Sequence, residues 1–172
     1  MTKRQEFRVL ETFHDFEIRE YEPCVIAEVK VSGDYSSATS RAFSPLFGYI
    51  SAGNKASEKI SMTAPVIAAQ TPDDSDSWYV SFVMPAGSSF KNMPKPNDSK
   101  VILRDLVSEI CVAYSFRGRA SAELSKKAEA KLRAAAIREK VNLSAETRIS
   151  RFDPPFKPGF LQYNEIVIPI SK

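Results

Sequence analysis

The 172-residue sequence predicts an α+β fold built from two strand-strand-helix-strand-strand units. Three observations carry that reading. Apolar residues alternate with polar ones in several short runs, the period of half-buried strands. Two longer runs instead carry apolar residues at helical spacing. And one offset of 85 positions relates the second half of the chain to the first, the mark of an internal duplication.

The first unit opens with Phe16-Glu17-Ile18-Arg19-Glu20-Tyr21, which alternates as a strand and ends before Pro23. Val25, Ala27, Val29 and Val31 alternate with Ile26, Glu28 and Lys30 in a second strand. Gly33-Asp34 supplies the turn. A helix is expected from about Tyr35 to Ser51, with Ala38, Ala42, Leu46 and Tyr49 on its buried face, Phe43, Phe47 and Ile50 widening that face, and Pro45 kinking it. Gly53-Asn54 ends it. The next strand is read from Lys59 to Ala68, with Ile60, Met62, Ala64 and Val66 facing inward. Pro65 cannot donate to a ladder, so an edge position or a bulge is expected there. Thr71 to Ser77 reads as a polar hairpin loop, followed by a strand in which Trp78, Val80, Phe82 and Met84 alternate with Tyr79, Ser81 and Val83. Pro85 to Ser99 is a proline-containing connection.

From there the pattern starts over. Ile18-Arg19-Glu20 corresponds to Leu103-Arg104-Asp105, Val29 and Val31 to Tyr114 and Phe116, and Trp78 and Phe82 to Tyr163 and Val167. Gly33 and Ser36 correspond to Gly118 and Ser121, each pair opening a helix as Gly-x-x-Ser. The half-repeats run from about 16 to 85 and from 101 to 170 within one domain spanning 1–172. Neither half buries a sheet face alone, so the two should share a core. The second helix, about Ser121 to Glu139, buries Leu124, Ala128, Leu132 and Ala136. Its many lysines and arginines read as a solvated face, or alternatively as a surface for an anionic partner.

Composition narrows the function. At 43% hydrophobic and 26% charged, the balance is that of a soluble globular protein. A net charge of +3 is too weak to argue for nucleic acid, and no apolar run reaches membrane-spanning length. The first residues are charged, with no apolar segment after them, which points away from a secretory signal and toward the cytoplasm. Cys24 and Cys111 form neither a disulfide framework nor a metal spacing, and read as free thiols. His14 is the only histidine and no His-Cys-carboxylate cluster accompanies it, so neither a structural zinc site nor a histidine-based triad is expected, and no phosphate-binding glycine loop is present.

Two places remain for chemistry. The stretch Phe152-Asp153-Pro154-Pro155-Phe156-Lys157-Pro158-Gly159-Phe160 is stiffened by three prolines and sets Phe156 and Phe160 beside the Lys157 ammonium. It reads either as a plain connection or as a loop that holds a flat hydrophobic acid. Glu165 falls opposite Val80 in the repeat, on the face of Tyr163 and Val167. An inward carboxylate is costly unless paired, so it is a candidate ligand site; the alternative is a strand-end residue reaching water or a partner such as Arg19.

Several motifs taken together resemble the SOUL heme-binding protein family. They are Phe16-Glu17-Ile18-Arg19-x-Tyr21, Tyr49-Ile50-x-x-Gly53-Asn54, Lys59-Ile60-x-Met62-Thr63-Ala64-Pro65-Val66, Val83-Met84-Pro85, Pro94-x-Pro96-Asn97-Asp98, Asp153-Pro154-Pro155 and Asn164-Glu165-Ile166. The resemblance implies a distorted antiparallel β-barrel with two flanking helices. It also implies reversible binding of heme or another porphyrin, without catalysis, in a shallow apolar groove between the first helix and the loop before the last strand. On that basis Phe43, Phe47, Met62, Phe156 and Phe160 are the candidate walls. Lys157 matches a loop cation assigned to a propionate, and Arg41 lies one place from the position of a first-helix arginine given the same role. The histidine proposed as an iron ligand in some members corresponds to Glu20, so the resemblance brings no axial histidine. A small-molecule effector-binding or hydrolytic domain of the gyrase-inhibitor-like class, using an inward Glu165, is the alternative that the same fold allows.

Overall fold

The computed structural model describes residues 2–171. Both repeats are present as separate sets of elements. The first comprises β3 (Glu17–Tyr21), β4 (Cys24–Ser32), α1 (Tyr35–Ile50), β5 (Thr63–Thr71) and β6 (Asp74–Val83). The second comprises β7 (Ile102–Leu106), β8 (Glu109–Arg117), α2 (Ala122–Arg138), β9 (Arg148–Arg151) and β10 (Tyr163–Pro169). Ahead of both lie two strands that period-two reading did not find, β1 (Lys3–Arg4) and β2 (Phe7–Thr12). Every residue of β2 is exposed, so it carries no burial alternation to read.

The strand order is β2-β3-β8-β10-β9-β5-β6-β4-β7. Without β2, this order reads the same from either end once each strand is replaced by its repeat counterpart. The first strand of each half therefore completes the sheet of the other: β3 pairs with β8, and β7 with β4. At the centre β5 pairs with β9, and the pseudo-twofold axis passes between these strands at the pair of Ala68 and Ile149. The 85-residue offset does not hold here: the ladders match Ala68 to Ile149 and Val80 to Ile166, which shifts β10 by one residue and exchanges its faces relative to the sequence repeat. β1 then runs parallel to β5 while β2 pairs with β3. The short N-terminal segment thus carries the curled sheet back toward its middle and gives it the form of a distorted barrel.

Side-chain alternation splits the sheet into two faces. On one face Val66, Ala68, Val80, Phe82, Ile166 and Ile168 join the buried faces of both helices in the main core. On the other, inside the barrel, lie Tyr21, Cys111, Ala113 and Val167. Asp34 caps α1 by accepting from the Ser37 amide, and Ser121 caps α2 by accepting from the Leu124 amide. Helix α1 continues through Pro45 and ends at Ile50.

Three expectations are corrected. The strand read from Lys59 starts at Thr63; Ile60 is held by its amide to the Ile50 carbonyl, so the segment before Thr63 serves the end of α1 instead of the sheet. Met62 consequently lies 40% exposed and not on a buried face. Phe43 and Phe47 do not widen the buried face of α1: they are 44% and 46% exposed and stack on each other. Pro65 is inside the sheet and not at an edge, and the register between β5 and β6 shifts between Thr63 and Val66, which is the bulge its missing donor calls for.

Gly33 and Gly118 each join a strand to a helix, at φ of 115° and 127°. A Cβ there would also come within 2.8 Å of the Arg41 guanidinium or 2.9 Å of Leu124 Cδ2. Gly33→Ala and Gly118→Ala should each destabilise by about 1–3 kcal/mol. Gly48→Ala, inside α1 with no atom near its would-be Cβ, should instead stabilise by about 0.5–1 kcal/mol. Urea unfolding midpoints decide; equal effects at all three sites would remove the turn geometry as the reason for glycine.

Candidate functional site

The barrel side of the sheet holds a cavity of about 300 Å³. Its floor is a buried ion pair between the halves. Arg19 on β3 and Glu165 on β10 are 6% and 4% exposed. They meet in a two-pronged contact, Nη1 to Oε1 at 2.9 Å and Nη2 to Oε2 at 2.8 Å. Arg19 also donates to Tyr21 Oη and to the Glu17 carboxylate, and Tyr163 Oη donates to Glu165 Oε2 at 2.7 Å. Glu165 thus points inward, and its partner is Arg19.

The titration of these groups follows from their surroundings. Burial alone would lower the Arg19 guanidinium, but its bonds to Glu165 outweigh that and hold it above its ordinary value. Burial raises the Tyr21 phenol, and Tyr163 is raised by burial and by its bond to Glu165. Arg19 therefore stays charged and the two phenols stay neutral near pH 7. Burial also pushes the Cys111 thiol up to about 12, which keeps it protonated and unreactive.

Aromatic rings form the walls. Phe7 lies 4.0 Å over the Arg19 guanidinium, and Phe152 meets Tyr163 edge to face. Arg4 sits above Phe152 and Tyr163, at 4.9 and 5.4 Å from their centroids. Of these residues only Glu165 was singled out from sequence as a site residue. Arg4 and Phe7 belong to the strands that alternation missed, and the pairing of Phe152 with Tyr163 depends on the loop between β9 and β10.

Phe43 packs edge-on against Phe82 on the helix side besides stacking on Phe47. The loop leaving β9 lies against Arg117 and Arg119 through Leu161 and Gly159, and the segment that enters β5 at Met62 is tied to the end of α1. Phe156 and Phe160 on this loop are 88% and 76% exposed. Lys157 is not a free cation: its ammonium bonds Asp153 Oδ1 at 3.0 Å. Burial would raise Asp153, but the Tyr163 amide and Lys157 hold it below the usual carboxylate range. Arg41 lies apart from the phenylalanines. It bonds the Ser32 carbonyl and lines a second, shallow groove with Lys30, Ser44, Pro45 and Gly48. His14 is exposed at the turn between β2 and β3, beside Asp15.

The model of the SOUL heme-binding protein family matches residues 2–169. The chain belongs to this family. Within the SOUL family it is 30% identical over 113 residues to Heme-binding protein 2 of Mus musculus, a match covering 63% of this chain and 55% of that protein. It thus spans about half the length of the curated relative it matches. Two solved structures share the fold. The EcmrR C-terminal domain has a TM-score of 0.70 at 14% identity, covering 94% of this chain and 99% of that one. A hydrolase from Listeria innocua has a TM-score of 0.60 at 14% identity, covering 91% of this chain and 92% of that one. Among the described residues, no helix is long and apolar enough to cross a membrane.

Removing one member of a buried pair strands the other, at a cost of about 3–5 kcal/mol. Arg19→Met and Glu165→Leu should each lose stability on that order, and the double variant should lose far less than their sum. Urea unfolding of the four proteins checks this; additive losses would mean that the pair does not act as a unit.

Proposed function

We propose that this chain, acting as one domain over its length, binds heme or a related tetrapyrrole reversibly and without catalysis. The site is the apolar surface on the helix side, between α1 and the loop before β10. The observation that carries this reading is the exposure of Phe43, Phe47, Met62, Phe156 and Phe160, large apolar residues on α1, at the entry to β5 and on the loop before β10. Exposed apolar surface of this kind marks a binding face. Family membership supports the choice of ligand, and the name of the mouse relative agrees with it. Two free cysteines fit a protein of the reducing cytoplasm.

The residues present fit a flat apolar ligand with acidic edges. Burying a few hundred Å² of porphyrin would be worth several kcal/mol at about 25 cal/mol per Å², before binding costs. One surface ammonium-carboxylate contact adds about 0–1 kcal/mol. Apolar contact therefore dominates affinity. Lys157 sets orientation, exchanging its bond to Asp153 for one to a propionate. Arg41 lies on the other flank of α1, beside Lys30, and contributes less than the resemblance implies. Iron, when bound, supplies the Soret signature; no histidine lines this surface among the described residues, and His14 lies four strands from β5. The alternative, a cationic effector held by Glu165, is weakened because Arg19 and Tyr163 already occupy both carboxylate oxygens.

A hemin titration followed at the Soret band tests the reading. His14→Ala should bind nearly as well as the parent. A Phe156→Ala, Phe160→Ala double variant should lose about tenfold or more, or about 1.4 kcal/mol. Loss of the Soret shift in His14→Ala with normal binding by the double variant would make His14 the ligand and discard the groove.

A further inference from the structure

We infer that the barrel cavity is a second ligand site, separate from the helix-side groove, that takes a small aromatic carboxylate. The cavity opens on the other face of the sheet. On β5, Pro65 and Ile67 line it, while Val66 and Ala68 pack into the helix-side core. Its volume of about 300 Å³ lies at the lower end of small-molecule pockets, enough for a fused bicyclic ring and too little for a porphyrin. Phe7, Phe152, Tyr21 and Tyr163 provide the faces on which a flat ring stacks.

Charge selects the head group. Five charged side chains line the cavity: Arg4, Arg19, Arg148, Glu17 and Glu165. Arg19 is satisfied by Glu17 and Glu165, and Arg148 by Glu109 and Glu146. Both oxygens of Glu165 accept bonds, Oε1 from Arg19 and Oε2 from Arg19 and Tyr163, and Glu17 is paired with Arg19 through Oε2. A cationic ligand therefore meets no carboxylate at the floor that lacks an arginine partner. Arg4 differs. Among the described residues it has no carboxylate partner, and its guanidinium is held only over the Phe152 and Tyr163 rings. A ring stacked on those walls brings an attached carboxylate to the planar donor fork of Arg4. Arg4 comes from β1, which is anchored by the Gln5 amide to the Ala64 carbonyl at 2.7 Å, so its position at the cavity is fixed by the sheet.

The test is calorimetric titration of the full chain with 2-naphthoate, its neutral analogue 2-naphthalenemethanol and its cationic analogue 2-naphthylmethylammonium. The expected order is anion tightest and cation weakest, with a gap of roughly tenfold between anion and alcohol. Arg4→Gln should bring naphthoate down to the affinity of the alcohol and leave the alcohol unchanged. Ile67→Trp, which fills the cavity, should abolish binding of all three, while hemin titrates as in the parent. Arg4 is exposed and outside the core, so its substitution leaves the fold intact; circular dichroism confirms this for both variants. Equal or tighter binding of the cation would make a carboxylate the receptor and overturn the inference. So would naphthoate affinity indifferent to Arg4→Gln, loss of hemin binding in Ile67→Trp, or no binding of any naphthalene.

Discussion

The fold depends on an exchange. Each half of the duplicated chain gives its first strand to the sheet of the other, β3 to β8 and β7 to β4. A sheet edge left bare presents unpaired amides and carbonyls, so a half without its exchanged strand would expose β4 or β8 along its length. The shared core follows from this constraint. The helices lie on one face over strands from both halves, and the seam runs through the pair of Ala68 and Ile149. The Arg19–Glu165 contact joins the two halves across the exchange at one end. Its counterpart in the repeat, Arg104, pairs instead with Glu28 at 2.9 Å and is largely exposed.

That difference traces to ten residues outside the repeat. β1 and β2 roof only one of the two pseudo-equivalent outer faces, by pairing with β5 and β3. Under the roof an arginine-carboxylate pair becomes buried; on the open side the equivalent arginine stays in water. Taking such a pair out of water costs several kcal/mol per ion unless its hydrogen bonds are complete. The roofed site completes them with Tyr21, Tyr163 and Glu17, while the open site needs no such set. The symmetry of the backbone therefore does not extend to the chemistry.

Much of this was legible in the sequence because backbone periodicity and a constant offset are local or self-referential signals. The 85-residue offset located both glycine turns and the strands that flank them. It set Glu165 opposite Val80, but the ladders shift β10 by one residue against that offset, so Val80 packs under the helices while Glu165 and Val167 face the barrel. What escaped depends on tertiary placement. Phe43 and Phe47 satisfy a helical stripe as well as Leu46 does, yet Leu46 is fully buried while Phe43 reaches the sheet only by its contact with Phe82. Met62 continues the alternation of Ala64 and Val66, but the segment before Thr63 is claimed by the end of α1. β2 shows no alternation because neither of its faces is buried. The cavity could not be read from the chain for the same reason: its roof carries no burial signal, and its floor joins residues 146 positions apart.

The two faces of the sheet therefore carry different physics on one scaffold. On the helix side Phe43 and Phe47 stand exposed, and what they offer is apolar area. Inside the barrel Arg19, Arg148 and Glu165 are paired, and what remains among the described residues is ring surface and the Arg4 guanidinium. A residue's side of the sheet decides which of these it serves, and along β5 that side changes with every position. Val66 and Ile67 are neighbours in the chain, yet one supports the core under the helices and the other lines the cavity. A slip of one residue in the register of β5 would exchange the two sets. The bulge between Thr63 and Val66 absorbs the irregularity at Pro65 before that register begins, and the pairing then runs in step to Gln70 with β6 and to Ala69 with β9. The separation of the two faces thus rests on the register of this one strand.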